Sequence, residues 1–271
     1  MEKKFVRDTN SLVKKIISCI NIQETLNKAT FEKFDINVKD EKASMAFNYI
    51  VDFTAEVGEL IDSIYYKHWT KEYKEGKYLT FKDRDNVLVE LVDVFHFYLS
   101  LINWVSLILD AKEETKKAME FVFTDVIERY FFVKYVNEGK DKEFIEPNFN
   151  MKSALIRLLE SQNTCFNWFY RTADIENLQK YYLETLKTAE DNKNSGIMFI
   201  VNIMADYALG FVSLLESVYY FGFTEKEFFD VYFKKNELNF KRLSQEYSQD
   251  KVGDKDNEEM MNDYRTEFAT E

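Results

Sequence analysis

From Val87 to Leu109 the chain is apolar almost without interruption, and a helix with that surface has to be buried. The interruptions are Glu90, Asp93, His96, Ser100, Asn103 and Ser106. Carboxylates carried into a core must be paired, protonated or bound to a metal, because an uncompensated buried charge is prohibitively costly. Glu90-x-x-Asp93 has a counterpart upstream, Glu56-x-x-Glu59, within AEVGELIDSIYYKHW. Each spacing puts both carboxylates on one face of a helix, about one turn apart. On the upstream helix Asp52, Glu56, Glu59 and Ser63 fall within roughly 60° of one another. An apolar stripe of Tyr49, Phe53, Val57, Leu60 and Ile64 runs beside them.

An E-x-x-E pair is most often only a solvated helix face, and Glu72 with Glu75, or Glu143 with Glu146, fit that description. Glu90 and Asp93, embedded in Val-Leu-Val-Phe, do not. Four hard oxygen donors suit a divalent cation with an oxygen-only shell, which points to Mg²⁺, with Mn²⁺ able to substitute. Such an ion in a cleft usually completes its shell with phosphate oxygens.

One proline, seven glycines and 17% aromatic residues leave few turn formers for a β-rich fold. Long helices are the alternative, so the fold class is all-α. The net charge of −12 argues against non-specific nucleic-acid binding and against an anionic membrane surface. It leaves room for a nucleotide, since metal ions invert the local field. Cys19 and Cys165 lack metal-binding spacing and fit a reducing cytoplasm. The N-terminal MEKKFVRDTNSL lacks the apolar centre of a signal peptide. Only Val87–Leu109 approaches membrane-spanning length, and its carboxylates make that reading poor.

Helical periodicity predicts a single domain over 1–271, with a core at about 11–136, a second helical part at about 150–243 and a polar segment over 244–271. Helices are expected from Ser11, over Ser44–Trp69, to Leu109, over Lys112–Tyr135, Met151–Arg171, Ile175–Glu190 and Gly196–Phe221, and from a Thr224 cap to about Phe233. Thr70–Asp85 reads as a loop, and Asn137–Asn150 as the best boundary. By composition alone the residues after Ser244 read equally well as a disordered acidic tail.

Four ordered motifs resemble the dimeric, all-α dUTP pyrophosphatases of the helical nucleoside-triphosphate pyrophosphatase superfamily. ELIDSIYYKHW (Glu59–Trp69) and NVLVELVDVFHFYLSL (Asn86–Leu101) look like the family's E-x-x-E and E-x-x-D metal motifs. Ile22–Asn27 is similar to its L-Q-x-x-L-N element, and Lys235–Arg242 to its K-N-x-L-N-x-x-R element. Residues 110 to 220 add little beyond being helical. The resemblance implies that Glu56, Glu59, Glu90 and Asp93 hold Mg²⁺, inside a rigid four-helix core faced by a mobile helical part. It implies that Gln23 and Asn27 lie by the uracil, where amides match an alternating donor and acceptor edge. Trp69, in the K-H-W element, joins them on the substrate side. Lys235, Asn239 and Arg242 would meet the phosphates, Arg as a fork and Lys as a point charge. Gly253–Asn257 looks like a remnant of the G-x-x-D-N element, making Asn257 a further base contact.

The sequence departs from the family in three places. The loop after Trp69 carries an insertion, Tyr66 stands where Trp is usual, and the glycine-rich loop after Arg242 is shortened. The last change bears on Lys251 as a phosphate contact and on base selectivity.

The implied reaction takes dUTP (or dUDP) to dUMP with release of pyrophosphate (or phosphate), in a homodimer. A carboxylate takes the proton of a metal-bound water. Glu59 is the preferred base, and sequence does not separate it from Glu56. Preference for dCTP or another deoxynucleotide is the alternative, as is a dimeric helical regulator that binds another protein. Asp93-x-x-His96 is half of a di-iron pattern, but those sites need Glu-x-x-His on two helices. His96 therefore reads as a hydrogen-bonded residue near the site, and His68 as a structural side chain.

Overall fold

The computed structural model describes residues 9–38, 42–135, 148–172, 194–244 and 253–268. Among them are nine helices: α1 Thr9–Lys33, α2 Lys42–Asp62, α3 Lys71–Lys74, α4 Arg84–Leu109, α5 Lys112–Tyr135, α6 Met151–Thr172, α7 Asn194–Tyr220, α8 Glu225–Ser244 and α9 Gly253–Phe268. The expected helix over Ile175–Glu190 lies outside the described residues, as does most of the boundary at Asn137–Asn150.

The apolar helix is the centre of the bundle. Around α4 pack α1, α2 and α8, with α5 at its end, while α7 is enclosed chiefly by α5 and α6. Its ends are set by side chains. Asp83 accepts hydrogen bonds from the backbone N–H groups of Asp85 and Asn86, satisfying two donors of the first turn. Asp110 closes the other end in the left-handed region, its N–H donating to the Ser106 carbonyl. Phe95 is fully buried among the rings of Tyr98, Phe211, Phe228, Phe229 and Tyr232, tying α4 to both α7 and α8. Arg84–Leu109 and Ile200–Tyr220 are long and apolar enough to cross a membrane, yet their apolar surface is mostly covered by neighbouring helices.

Four elements differ from the sequence expectation, the first being the short helix α3 inside Thr70–Asp85, expected as a loop. Helix α2 stops at Asp62 rather than Trp69. Beyond it Ile64 bridges Phe81, and Tyr65 exchanges backbone hydrogen bonds with Thr80 and Leu79 at 2.9 and 2.7 Å. Ile64 is fully buried, and Phe81 packs on Phe149, Phe221 and Phe223, so tertiary capture of these two side chains overrides continued helix. Helix α8 begins as expected, with Thr224 and Glu227 in a reciprocal capping box. It continues past Phe233 to Ser244 because its polar half has partners on α1, α4 and α9. The polar C-terminal stretch contains helix α9, which buries Met260, Met261 and Tyr264 and pairs Glu267 with Lys234 at 2.8 Å.

The packing separates two phenylalanines that look alike in sequence. Phe95→Ala should cost about 3–5 kcal/mol. Phe121→Ala, at a position 67% exposed, should change stability by no more than about 0.5 kcal/mol. Urea melts of the two variants check this, and equal losses would contradict the placement of Phe95.

Candidate metal centre and the polar chamber beside it

Packing of α2 on α4 brings the two acidic pairs face to face. Carboxylate oxygens of Glu56, Glu90 and Asp93 all lie within 4.8 Å of one another. Glu90 is buried, and Glu56 and Asp93 are half-buried. Burial pushes the Glu56 carboxyl up to about 9, reinforced by the charges of Asp93, Glu90 and Glu59. Burial also raises Glu90, to about 7, with Asp93 and Glu59 adding to the effect and Lys235 opposing it. Like charges this close cannot all be ionised without a cation or a proton between them. Three hard oxygen donors held that close, each unfavourable as a free anion, suit a divalent cation. Glu59 stands apart: it is exposed, outside the trio, and acts on it through its charge.

Among the described residues, Lys235 brings a cation to this trio. Buried Lys235 places Nζ 2.8 Å from an Asp93 oxygen and 2.9 Å from Oδ1 of Asn257. Arg242, two turns further along α8, reaches Asp256 at 3.3 Å and the same Asn257 oxygen at 3.4 Å. Three residues predicted for substrate, Lys235, Arg242 and Asn257, thus meet at one point, and α9 supplies a member. Asn239 is half-buried on the same helix, and Lys251 lies outside the described residues. Trp69 is 68% exposed and meets the His68 ring edge-on, with centroids 4.8 Å apart.

Along α4 from the carboxylates runs a neutral polar chamber. Gln23 is buried, and its amide is used at both ends. Oε1 meets His96 Nδ1 at 2.7 Å, while Nε2 donates to Asn27 Oδ1 at 2.9 Å and lies 3.2 Å from Ser100 Oγ. Ser100 also donates to Asn27 Oδ1, at 3.1 Å. Burial pulls the His96 imidazole down to about 4, with Lys235 assisting and Asp93 opposing, so the ring is neutral. With Nδ1–H donating to Gln23, its Nε2 is a buried acceptor without a partner. A cleft of about 290 Å³ opens next to this network, lined by Asn27, Tyr49, Ser100, Asn103 and Trp104 among others.

Sequence reasoning named Gln23 and Asn27 but not the part played by Ser100 and Asn103. Their signal was available: Asp93, His96, Ser100 and Asn103 recur at three- and four-residue steps, which is one face of a helix. Asn236, one position after Lys235, stands in the K-N-x-L-N-x-x-R element but was assigned no role there.

A family model described as dUTPase matches residues 15–247, and the matched span runs from within α1 to just past the end of α8. No curated protein matches the chain.

The carboxyl shifts carry a sign. Glu56 and Glu90 hold their protons more tightly in the fold than at the ordinary value of 4.5, so the unfolded chain releases them first as pH rises. Stability held below the ordinary value is therefore lost on the way up, through about 7 for Glu90 and about 9 for Glu56. The melting temperature in excess chelator should fall between pH 5 and pH 9, and fall less in Glu56→Gln. A melting temperature equally steep in the variant would contradict the shared burial of these groups.

Proposed function

The chain belongs to the dUTPase family and is a dUTP diphosphatase, and we propose that it works with Mg²⁺ held by Glu56, Glu90 and Asp93, with Glu59 completing the ligand set. The observation that carries this reading is the carboxylate trio within 4.8 Å, half-buried to buried and facing Lys235. When bound, Mg²⁺ supplies neutralising charge for the polyphosphate and acidifies a coordinated water. Everything else falls to the chain's own residues.

Glu59 is our choice for the proton acceptor, because an exposed carboxylate one turn from Glu56 can reach a water at the trio's edge. Glu56 is the alternative. The water oxygen bonds to phosphorus, the bridging P–O bond breaks, the carboxylate takes the proton, and dUMP and pyrophosphate leave; dUDP would yield phosphate by the same chemistry. Lys235, Asn239 and Arg242 hold the phosphates, with Lys251 a further candidate. In this role Lys235 exchanges Asp93 for a phosphate oxygen, and Arg242 releases Asp256. Gln23, Asn27, Trp69 and Asn257 serve the nucleoside end. The neutral His96 suits a site for an uncharged base, since an imidazolium there would draw phosphate away from the metal.

Dimerisation is part of the same proposal. Phe47 and Val51 on α2, Ile156 and Leu159 on α6, and Met198 and Leu209 on α7 are each 44% exposed or more. Apolar surface of that extent is what a second copy of the chain would cover. The unpaired, buried Cys19 and Cys165 are compatible with a cytoplasmic setting.

A panel of deoxynucleoside triphosphates with Mg²⁺, read by pyrophosphate release, tests the assignment. Glu90→Gln should lower kcat by about 10²-fold or more, the scale of losing a transition-state charge stabiliser, while leaving the helical signal intact. Excess chelator should abolish turnover, and Mn²⁺ should restore it. dUTP should exceed dTTP in kcat/KM, and dCTP is the comparison that separates the two substrate preferences. Full activity in chelator, or equal rates on dUTP and dTTP, would overturn the metal and base assignments respectively.

A further inference from the structure

Asn236 is 3% exposed, and both its amide nitrogen and its amide oxygen are buried without a hydrogen-bond partner. The amide lies near the Tyr232 hydroxyl one turn earlier, and that hydroxyl donates to the Cys19 carbonyl at 3.0 Å. An amide buried in this state costs about 1–3 kcal/mol for each unmet group, so its presence asks for a reason.

Its position supplies one. Helices α1 and α8 run side by side in the same direction. Lys15 meets Glu225 at 3.6 Å and lies over Phe229, Cys19 meets Tyr232, and Lys33 donates to the Leu243 carbonyl at 2.7 Å. Asn236 is therefore abreast of the α1 turn that carries Gln23 and Asn27. Tyr232, one turn before it, lies against the His96 ring with centroids 4.7 Å apart. His96 Nε2, on the ring that Tyr232 packs against, is likewise buried without a hydrogen-bond partner. Lys235 is rotated by about 100° from Asn236 and points to Asp93. The two adjacent residues thus differ in surroundings: Lys235 faces the carboxylates, and Asn236 lies one turn past the Tyr232 ring that packs on His96.

We propose that Asn236 is a substrate-binding residue for the nucleoside half of the nucleotide, a role that rests on the function proposed above. The chemistry narrows the ligand. A phosphate offers acceptors only and would leave the Asn236 oxygen unpaired. What satisfies both atoms is a neutral group that donates and accepts side by side. The imide edge of a pyrimidine and the hydroxyl of the sugar both qualify. Gln23 already spends both N–H donors on Asn27 and Ser100, so its oxygen is what it can offer the nucleoside as it stands, and a paired donor and acceptor must come from another amide. The cleft reaches Asn27 and Ser100, the two residues that hold the Gln23 Nε2.

The test uses Asn236→Leu, close in volume and without polar atoms, and Asn236→Ala, which leaves room. Removing two unmet polar groups should leave the melting temperature of Asn236→Leu unchanged or raised, whereas a residue kept for structure would lower it. Wild-type protein and both variants are assayed with Mg²⁺ on dUTP, N3-methyl-dUTP and 2′,3′-dideoxy-UTP. The variants should lose at least about tenfold in kcat/KM on dUTP, chiefly through KM. One analogue should show a wild-type penalty that shrinks to within about threefold in Asn236→Ala. If that analogue is N3-methyl-dUTP, Asn236 reads the base; if it is the dideoxy compound, Asn236 holds the sugar hydroxyl. Equal losses on all three substrates, or full activity on dUTP, overturn the proposal while leaving the function standing. Absence of dUTP turnover by the wild-type protein overturns both.

Discussion

Three carboxylates confined within 4.8 Å of one another are the constraint around which the rest of the bundle is arranged. Their mutual repulsion, together with partial removal from water, opposes the packing of α2 on α4 that creates them. Protons on Glu56 and Glu90 relieve it at low pH, Lys235 offsets it at Asp93, and a divalent cation relieves it best of all. The apolar surface of α4, with Phe95 at its centre, provides the burial that holds the acidic faces together. Stability and site thus pull in opposite directions on the same two helices, a common condition of functional sites.

The all-α class was legible because one proline and seven glycines in 271 residues cannot punctuate a β fold. Glu90 and Asp93 were legible because acidic groups inside an apolar helix need a counter-charge, and Glu56 because its pair repeats their spacing and its motif accompanies theirs. Glu59 was read with them from spacing and from the family motif, and it is exposed where Glu56 is half-buried. Helix period fixes the angle between two side chains but not which of them faces the neighbour. The end of α2 at Asp62 was not legible, since Ile64 and Phe81 are held by contacts distant in sequence. Helix α9 hid behind its charge: Met260, Met261 and Tyr264 are the apolar side chains that dock it, too few to raise the mean hydropathy of that stretch. Asn236 was invisible for a different reason, because an unpaired amide is a property of its surroundings.

Between the carboxylates and the cleft, the protein changes its electrical character within a few turns of α4. Lys235, Asp93, Arg242 and Asp256 are charged and paired, whereas Gln23, Asn27, His96 and Ser100 are neutral and linked. A nucleotide has the same division, anionic at one end and uncharged at the other. Under the proposed assignment, the two halves of the site match the two halves of the ligand.

The position of Gln23 also affects how this site can diverge. One side chain contacts His96, Asn27 and Ser100 together, so the orientations of all four are set jointly. Substitutions at any of them will be strongly epistatic, each altering the background on which the next is judged. If these residues serve the base as proposed, a lineage changing its base preference one residue at a time would have to cross intermediates with a broken network. Asn236 is hydrogen-bonded to none of them, so a change there leaves this network intact.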